Sequence, residues 1–219
     1  NPSSLFFLNS LFFLPKIEFY LLNISPVYFL GFSNIILFNL IFNKKNYKEN
    51  KLINFISLLS LSFINIFFYR LAEHGTDRSG QILIFLIVIL TIIILNYKKN
   101  QSNSNSILNL FYLTLILSVL LISLKPFYLI YLPIIFVVFS KKHFRDYLFQ
   151  IIFSKITFYA SLFIFFMLFF NFINSGCLVY PAVFTCFENL YWSFPNETIN
   201  DVNEWYELWS KAGATPNYI

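Results

Sequence analysis

The chain has 219 residues, of which 58% are hydrophobic and only 11% charged, with a formal net charge of +5. A soluble domain of this size does not use so much apolar surface, so soluble globular classes are excluded. The basic residues sit in short clusters between apolar runs, which marks topology rather than a nucleic-acid surface, and no nucleic-acid partner is expected.

Residues Pro2 to Leu14 are apolar but too short to cross a bilayer, and Pro15 ends them. Residues 1–18 are expected to lie on the outer surface as an interfacial helix or re-entrant piece, or to be the end of a longer span. A hydrocarbon core about 30 Å thick needs roughly 20 apolar residues as a helix. The first span is expected over Phe19 to Phe42, kinked by Pro26 and Gly31. Leu52 to Tyr69, Ile82 to Leu95, Ile107 to Leu124, the short Phe127 to Phe139, and Tyr147 to Phe172 follow. The fold class is therefore all-α, a polytopic transmembrane helix bundle of about six spans over residues 1–174. Residues 175–219 form a short, aromatic-rich outer-face tail. Glycine is scarce, 5 residues against 31 phenylalanines, so large apolar side chains must interlock the helices, with Ser57, Ser60, Asn65 and Asn109 as polar packing contacts. The sequence opens at Asn1 without Met and closes at Ile219 within a polar segment; it is expected to be a fragment with material beyond both ends.

Orientation follows from the loops. Lys44, Lys45, Lys48 and Lys51, then Lys98 and Lys99, then Lys141, Lys142 and Arg145 occupy alternate connections. By the positive-inside rule residues 43–51, 97–106 and 140–146 are cytoplasmic, and residues 70–81 and 175–219 are periplasmic, in a multi-pass inner-membrane protein. In the tail, Asp201 to Ser210 reads as an amphipathic helix capped by Asp201 with Glu204, placing Trp205, Leu208 and Trp209 on one face. Trp and Tyr there favour the membrane interface.

The densest chemistry is the loop over residues 70–81. Glu73 and Asp77 are candidate bases, and His74 titrates near neutrality. Arg78 and Arg70 are candidate phosphate ligands, and Gly75 and Gly80 permit close approach. A solvated loop whose acids and bases pair with one another remains the alternative. Lys125, before Pro126, suits a lipid phosphate or is a snorkelling lysine at a helix end. Lys155, inside the sixth expected span, reads as snorkelling toward its cytoplasmic edge. Cys177 and Cys186 form a possible disulfide in an oxidising exterior, or stay as two thiols. No metal-ligand motif is present, so no cofactor is expected and a divalent cation has no sequence support. Nucleotide-binding and serine-hydrolase motifs are likewise missing. Asn196-Glu197-Thr198 matches a glycosylation acceptor, which matters only in a eukaryotic secretory host.

The stretches AEHGTDRSGQILI, GCLVYPAVFTCF and EWYELWSKAGATPNY resemble those of polytopic bacterial envelope proteins, whose layout is similar to GT-C glycosyltransferases. The resemblance covers the chain from about Tyr69 onward. It implies an outer-face active site, membrane lipid and a polyprenyl-linked sugar as partners, and an acidic residue in an outer loop as base. Asp77 or Glu73 would be that acid, with Arg78 or Lys125 on the phosphate. The paired acids usual in the first outer loop of that class are missing here, and if that loop lies before Asn1, Asp77 is a supporting residue. The expected function is sugar transfer from a polyprenyl-phosphate donor to a cell-envelope acceptor. The alternatives are a carrier of a lipid-linked saccharide or anionic solute, and a non-catalytic assembly subunit.

Overall fold

The computed structural model describes residues 24–42, 51–67, 75–96 and 104–212. Among these residues it is all-helical apart from turns and one isolated bridge between Cys177 and Cys186, with no sheet. Helices α1 (Ile24–Phe42), α2 (Lys51–Phe67), α3 (Gly75–Leu95) and α4 (Ser104–Leu124) come first. Pro126–Tyr131 is a 3₁₀ helix, Leu132–Phe136 is α5, and Val137–Ser140 is again 3₁₀. Short helices α6 (Lys142–Arg145) and α7 (Leu148–Ile152) lead to α8 (Lys155–Ser175), and α9 (Asn196–Ala212) ends the described chain. Two compact units divide it, Pro2–Ser161 and Leu162–Ile219, with the division falling inside α8.

Four helices among the described residues are long and apolar enough to cross a membrane: Ser25–Phe42, Asp77–Leu95, Ser106–Leu124 and Lys155–Ser175. Lys51–Ile66 and Pro126–Ser140 are apolar but shorter, so four of the roughly six expected spans reach full length among the described residues. Residues 1–18 and the lysines at 44, 45, 48, 98 and 99 lie outside the described residues.

In the first unit, α3 is the central helix. One of its faces packs Leu83, Ile87 and Ile94 with Ile107, Leu108, Phe111, Leu121 and Leu124 of α4 and with Tyr128, Ile135, Val138 and Phe144. The other packs Ile82, Leu86 and Ile89 against Leu37 of α1 and Ile64 of α2. Burial on two sides explains why the α3 sequence reads as a continuous apolar run and not as an amphipathic stripe. Phe111, Phe139 and Phe144 interlock edge to face, with ring centroids 5.4 to 5.8 Å apart. Polar glue is present, with one addition. Asn65 exchanges side-chain hydrogen bonds with Asn34 at 2.9 and 3.1 Å, a partner the sequence did not single out. The Ser57 and Ser60 hydroxyls are buried without a partner among the described residues, and Asn109 is exposed. Ser57 and Ser60 are thus packed inside the helices as expected, without a hydrogen bond across them, and Asn109 is not packed.

Three expected boundaries move. Pro26 lies in the first turn of α1, where an intrahelical N–H bond is not needed, and α1 runs unbroken through Gly31. The sixth span does not begin at Tyr147: the chain breaks after Ile152, and Ser154 starts α8 afresh. Its Oγ accepts from the Thr157 N–H at 3.1 Å, as an N-cap does. In the tail, α9 starts at Asn196, so Asp201 is an exposed residue within the helix and not its cap.

The second unit is held at the end of α8. Gly176 adopts φ +74° and donates to the Phe172 carbonyl at 2.8 Å, the left-handed residue that ends many helices. Phe187 N–H reaches Gly176 O at 2.9 Å, and Asn171 Nδ2 donates to Leu178 O at 2.9 Å. Phe172 packs edge-on against Phe187 and Trp192. Helix α9 docks on this turn through buried Ile199 and through Asn203, which donates to Pro181 O at 2.9 Å. On the face expected at the membrane interface, Trp205 is exposed and Leu208 half-buried.

Candidate functional site

The end of α4 and the start of α3 meet in the first unit, and chemistry-bearing residues converge there. Helix α3 begins at Gly75, so Asp77, Arg78 and Gly80 belong to its first turns and not to an irregular loop. This corrects the reading of residues 70–81 as loop throughout. An acid at this position is favoured by the unpaired N–H groups and the dipole of a helix N-terminus. Glu73, His74 and Arg70 lie outside the described residues.

Lys125 follows the last residue of α4 in extended conformation, φ −149° and ψ 127°, directly before Pro126. A residue before proline is pushed out of the helical region, which is why α4 stops and the lysine stem leaves the helix axis here. Its ammonium forms an ion pair with the Asp77 carboxylate. Both side chains stay accessible, Lys125 at 38% and Asp77 at 46% exposure. The loop charges were expected to pair with one another or stand free. Asp77 instead pairs across the bundle with the other candidate from the sequence.

Two residues hold this meeting point together. The Tyr128 hydroxyl donates to the Asp77 backbone carbonyl at 3.3 Å. The hydroxyl end of its ring lies against Gly80, so a Cβ there would stand 2.6 Å from Cζ and 2.7 Å from Oη. Glycine is required by close approach, not by a turn. Arg78 donates from Nη1 to Gln81 Oε1 at 3.1 Å, one turn along the helix. The Ser79 hydroxyl is buried beside them without a partner among the described residues. Tyr128 was missed in the sequence because nothing local marks a tertiary contact. Gly80 at the mouth of an apolar span was the one available signal of close approach.

The remaining candidates stand elsewhere. Lys155 is the first residue of α8 and so stands at the very end of that candidate span, where a lysine can snorkel. Cys177 and Cys186 are joined in a disulfide, which closes the turn over Tyr180 and Pro181. Among the described residues no three His, Cys, Asp or Glu side chains come together as a metal site would require.

A family model described as a domain of unknown function (DUF8201) matches residues 2–218. No curated protein and no solved structure matches the chain.

Proposed function

The chain belongs to the DUF8201 family, and we propose that it is a multi-pass inner-membrane transferase that moves a sugar from a polyprenyl-phosphate donor to a cell-envelope acceptor. The observation that carries this reading is the convergence of Asp77 and Lys125, from different helices, at one accessible point where two apolar spans end. The alternation of lysine clusters supports a periplasmic position for that point, with residues 43–51, 97–106 and 140–146 cytoplasmic on this reading.

The chemistry asks little of a soluble nucleotide site. Lys125, with Arg78 nearby on α3, neutralises the phosphate of the donor. The Asp77 carboxylate takes the proton of the acceptor hydroxyl as its oxygen attacks the anomeric carbon. The bond from that carbon to the phosphate oxygen breaks, and the polyprenyl phosphate leaves with the electron pair. General-base catalysis contributes about 10²–10⁴ in rate. Protein reconstituted in liposomes with a radiolabelled polyprenyl-phosphate sugar should therefore transfer label to a saccharide acceptor, with Asp77→Asn slower by about that factor. Equal rates for the two proteins would remove Asp77 from the reaction.

A carrier draws less support. It needs ionisable groups at mid-membrane, and Lys155, the residue that best met this in the sequence, begins its helix. An assembly subunit is favoured by one observation: Phe184 and Tyr191 in the second unit are 92% and 97% exposed, as anchors for a partner would be. On that reading Asp77→Asn leaves function intact.

A further inference from the structure

We infer that the Asp77–Lys125 ion pair is a latch opened by phosphate: a lipid-borne phosphate takes Lys125, and only then is the Asp77 carboxylate free. The inference rests on the transferase reading and deepens it by saying how the base is kept idle until a donor is bound.

The geometry separates what holds the Asp77 backbone from what holds its side chain. Tyr128 grips the backbone carbonyl of Asp77, and the Gly80 surface beneath the tyrosine ring fixes the first turn of α3. The carboxylate itself is paired with Lys125. Losing the ion pair therefore leaves Asp77 in place with its oxygens released. The latch is also weak by construction. Both partners are more than a third exposed, and ion pairs at such exposure are screened by water and salt. A phosphate offers Lys125 more charge and more acceptor oxygens than a carboxylate does, and a headgroup held at a lipid surface meets the ammonium in a drier setting. Lys125 supplies three N–H donors, and Pro126 fixes the backbone after it.

The latch makes a prediction of unusual sign. If Asp77 competes with phosphate for Lys125, removing its charge tightens phosphate binding while it stops transfer. A site in which Asp77 helps to hold the donor gives the reverse.

The full chain is reconstituted in phosphatidylcholine nanodiscs doped with undecaprenyl phosphate, and bound lipid is measured by native mass spectrometry. Asp77→Asn should bind the lipid tighter, roughly twofold to fivefold, the factor expected when a weak exposed ion pair stops competing. Lys125→Met should lose most of the affinity, and Lys125→Arg should keep it. Thermal unfolding of each variant confirms that it is folded. Binding by Asp77→Asn that is equal to or weaker than wild type overturns the latch, as does full affinity in Lys125→Met. In a second arm, inorganic phosphate is titrated into doped nanodiscs; displacement of the lipid at millimolar concentration makes free phosphate the ligand and overturns the lipid assignment. The sugar-transfer assay separates the two levels. Tighter binding in Asp77→Asn without transfer by wild type keeps the latch and rejects the transferase. Transfer by wild type with unchanged binding in Asp77→Asn does the opposite.

Discussion

Gly80 is the residue at which local propensity and tertiary packing disagree most sharply. In a free helix, Gly→Ala stabilises by about 1 kcal/mol. Here the added methyl would meet the Tyr128 ring at Cζ and Oη, and the ring is backed by the core cluster. Overpacking of this kind costs about 1–3 kcal/mol. Gly80→Ala should therefore lower the detergent-phase unfolding temperature, and in a Tyr128→Ala background, itself destabilised by the cavity, the same substitution should cost less or nothing. A double-mutant cycle reads the coupling directly, and additive effects would mean that the two residues do not touch. The ion pair beside them behaves differently. Its exposure limits it to about 0–1 kcal/mol, so Asp77 and Lys125 matter for what they can bind more than for stability. Asn34 and Asn65, with two reciprocal hydrogen bonds, join α1 to α2 where the apolar side chains alone give no register.

Among elements, Pro126–Ser140 is the one whose winding changes its meaning. As an α-helix its 15 residues would reach only about 22 Å, short of the bilayer core. Ten of them are 3₁₀, which rises about 2.0 Å per residue, and the segment then extends to about 27 Å. Laid end to end in a straight line it would fall only a little short of the bilayer core, a mismatch that a bilayer absorbs. Crossing predicts that cysteines introduced at Lys125 and Lys142 are labelled from opposite faces of sealed vesicles by an impermeant thiol reagent, in a background without Cys177 and Cys186. Labelling of both from one face would make the segment re-entrant. The break before α8 yields a second expectation. Ser154→Ala removes the acceptor for the Thr157 N–H and should cost about 1 kcal/mol, read as a lower unfolding temperature, with Ser154→Asp restoring it. The spans were legible in the sequence because a continuous apolar run is a property of the chain alone. The start of α8 was legible too, in Ser154 three residues before Thr157, but hydropathy averages over such a cap and so ran the span back to Tyr147. The 3₁₀ winding was not legible: two prolines signal interruption without saying which helix results.

At the scale of the whole molecule, the helical fold and the apolar segments were readable, and the site was readable only in part. Asp77 and Lys125 drew attention separately, each as a charge in a chain that has few. That they touch depends on α3 and α4 running side by side, with the start of one beside the end of the other, which no local pattern encodes. Tyr128, an aromatic among many, gave no sign of its hydrogen bond to Asp77. The two units also differ in how they keep their shape. The first buries large apolar side chains on both faces of α3, whereas only 11% of the Lys155–Ser175 stretch is buried within the protein. The second relies on backbone and side-chain hydrogen bonds around Gly176 and on a covalent link between Cys177 and Cys186. That link carries a clock and a compass. Thiols in the cytosol stay reduced, so on the topology proposed above the bridge closes only after the chain behind α8 has crossed the bilayer. On that reading its closure dates the completion of membrane insertion and reports the side on which the C-terminal segment arrived. Trapping thiols in growing cells and counting alkylated species would follow the biogenesis of this protein without a tag.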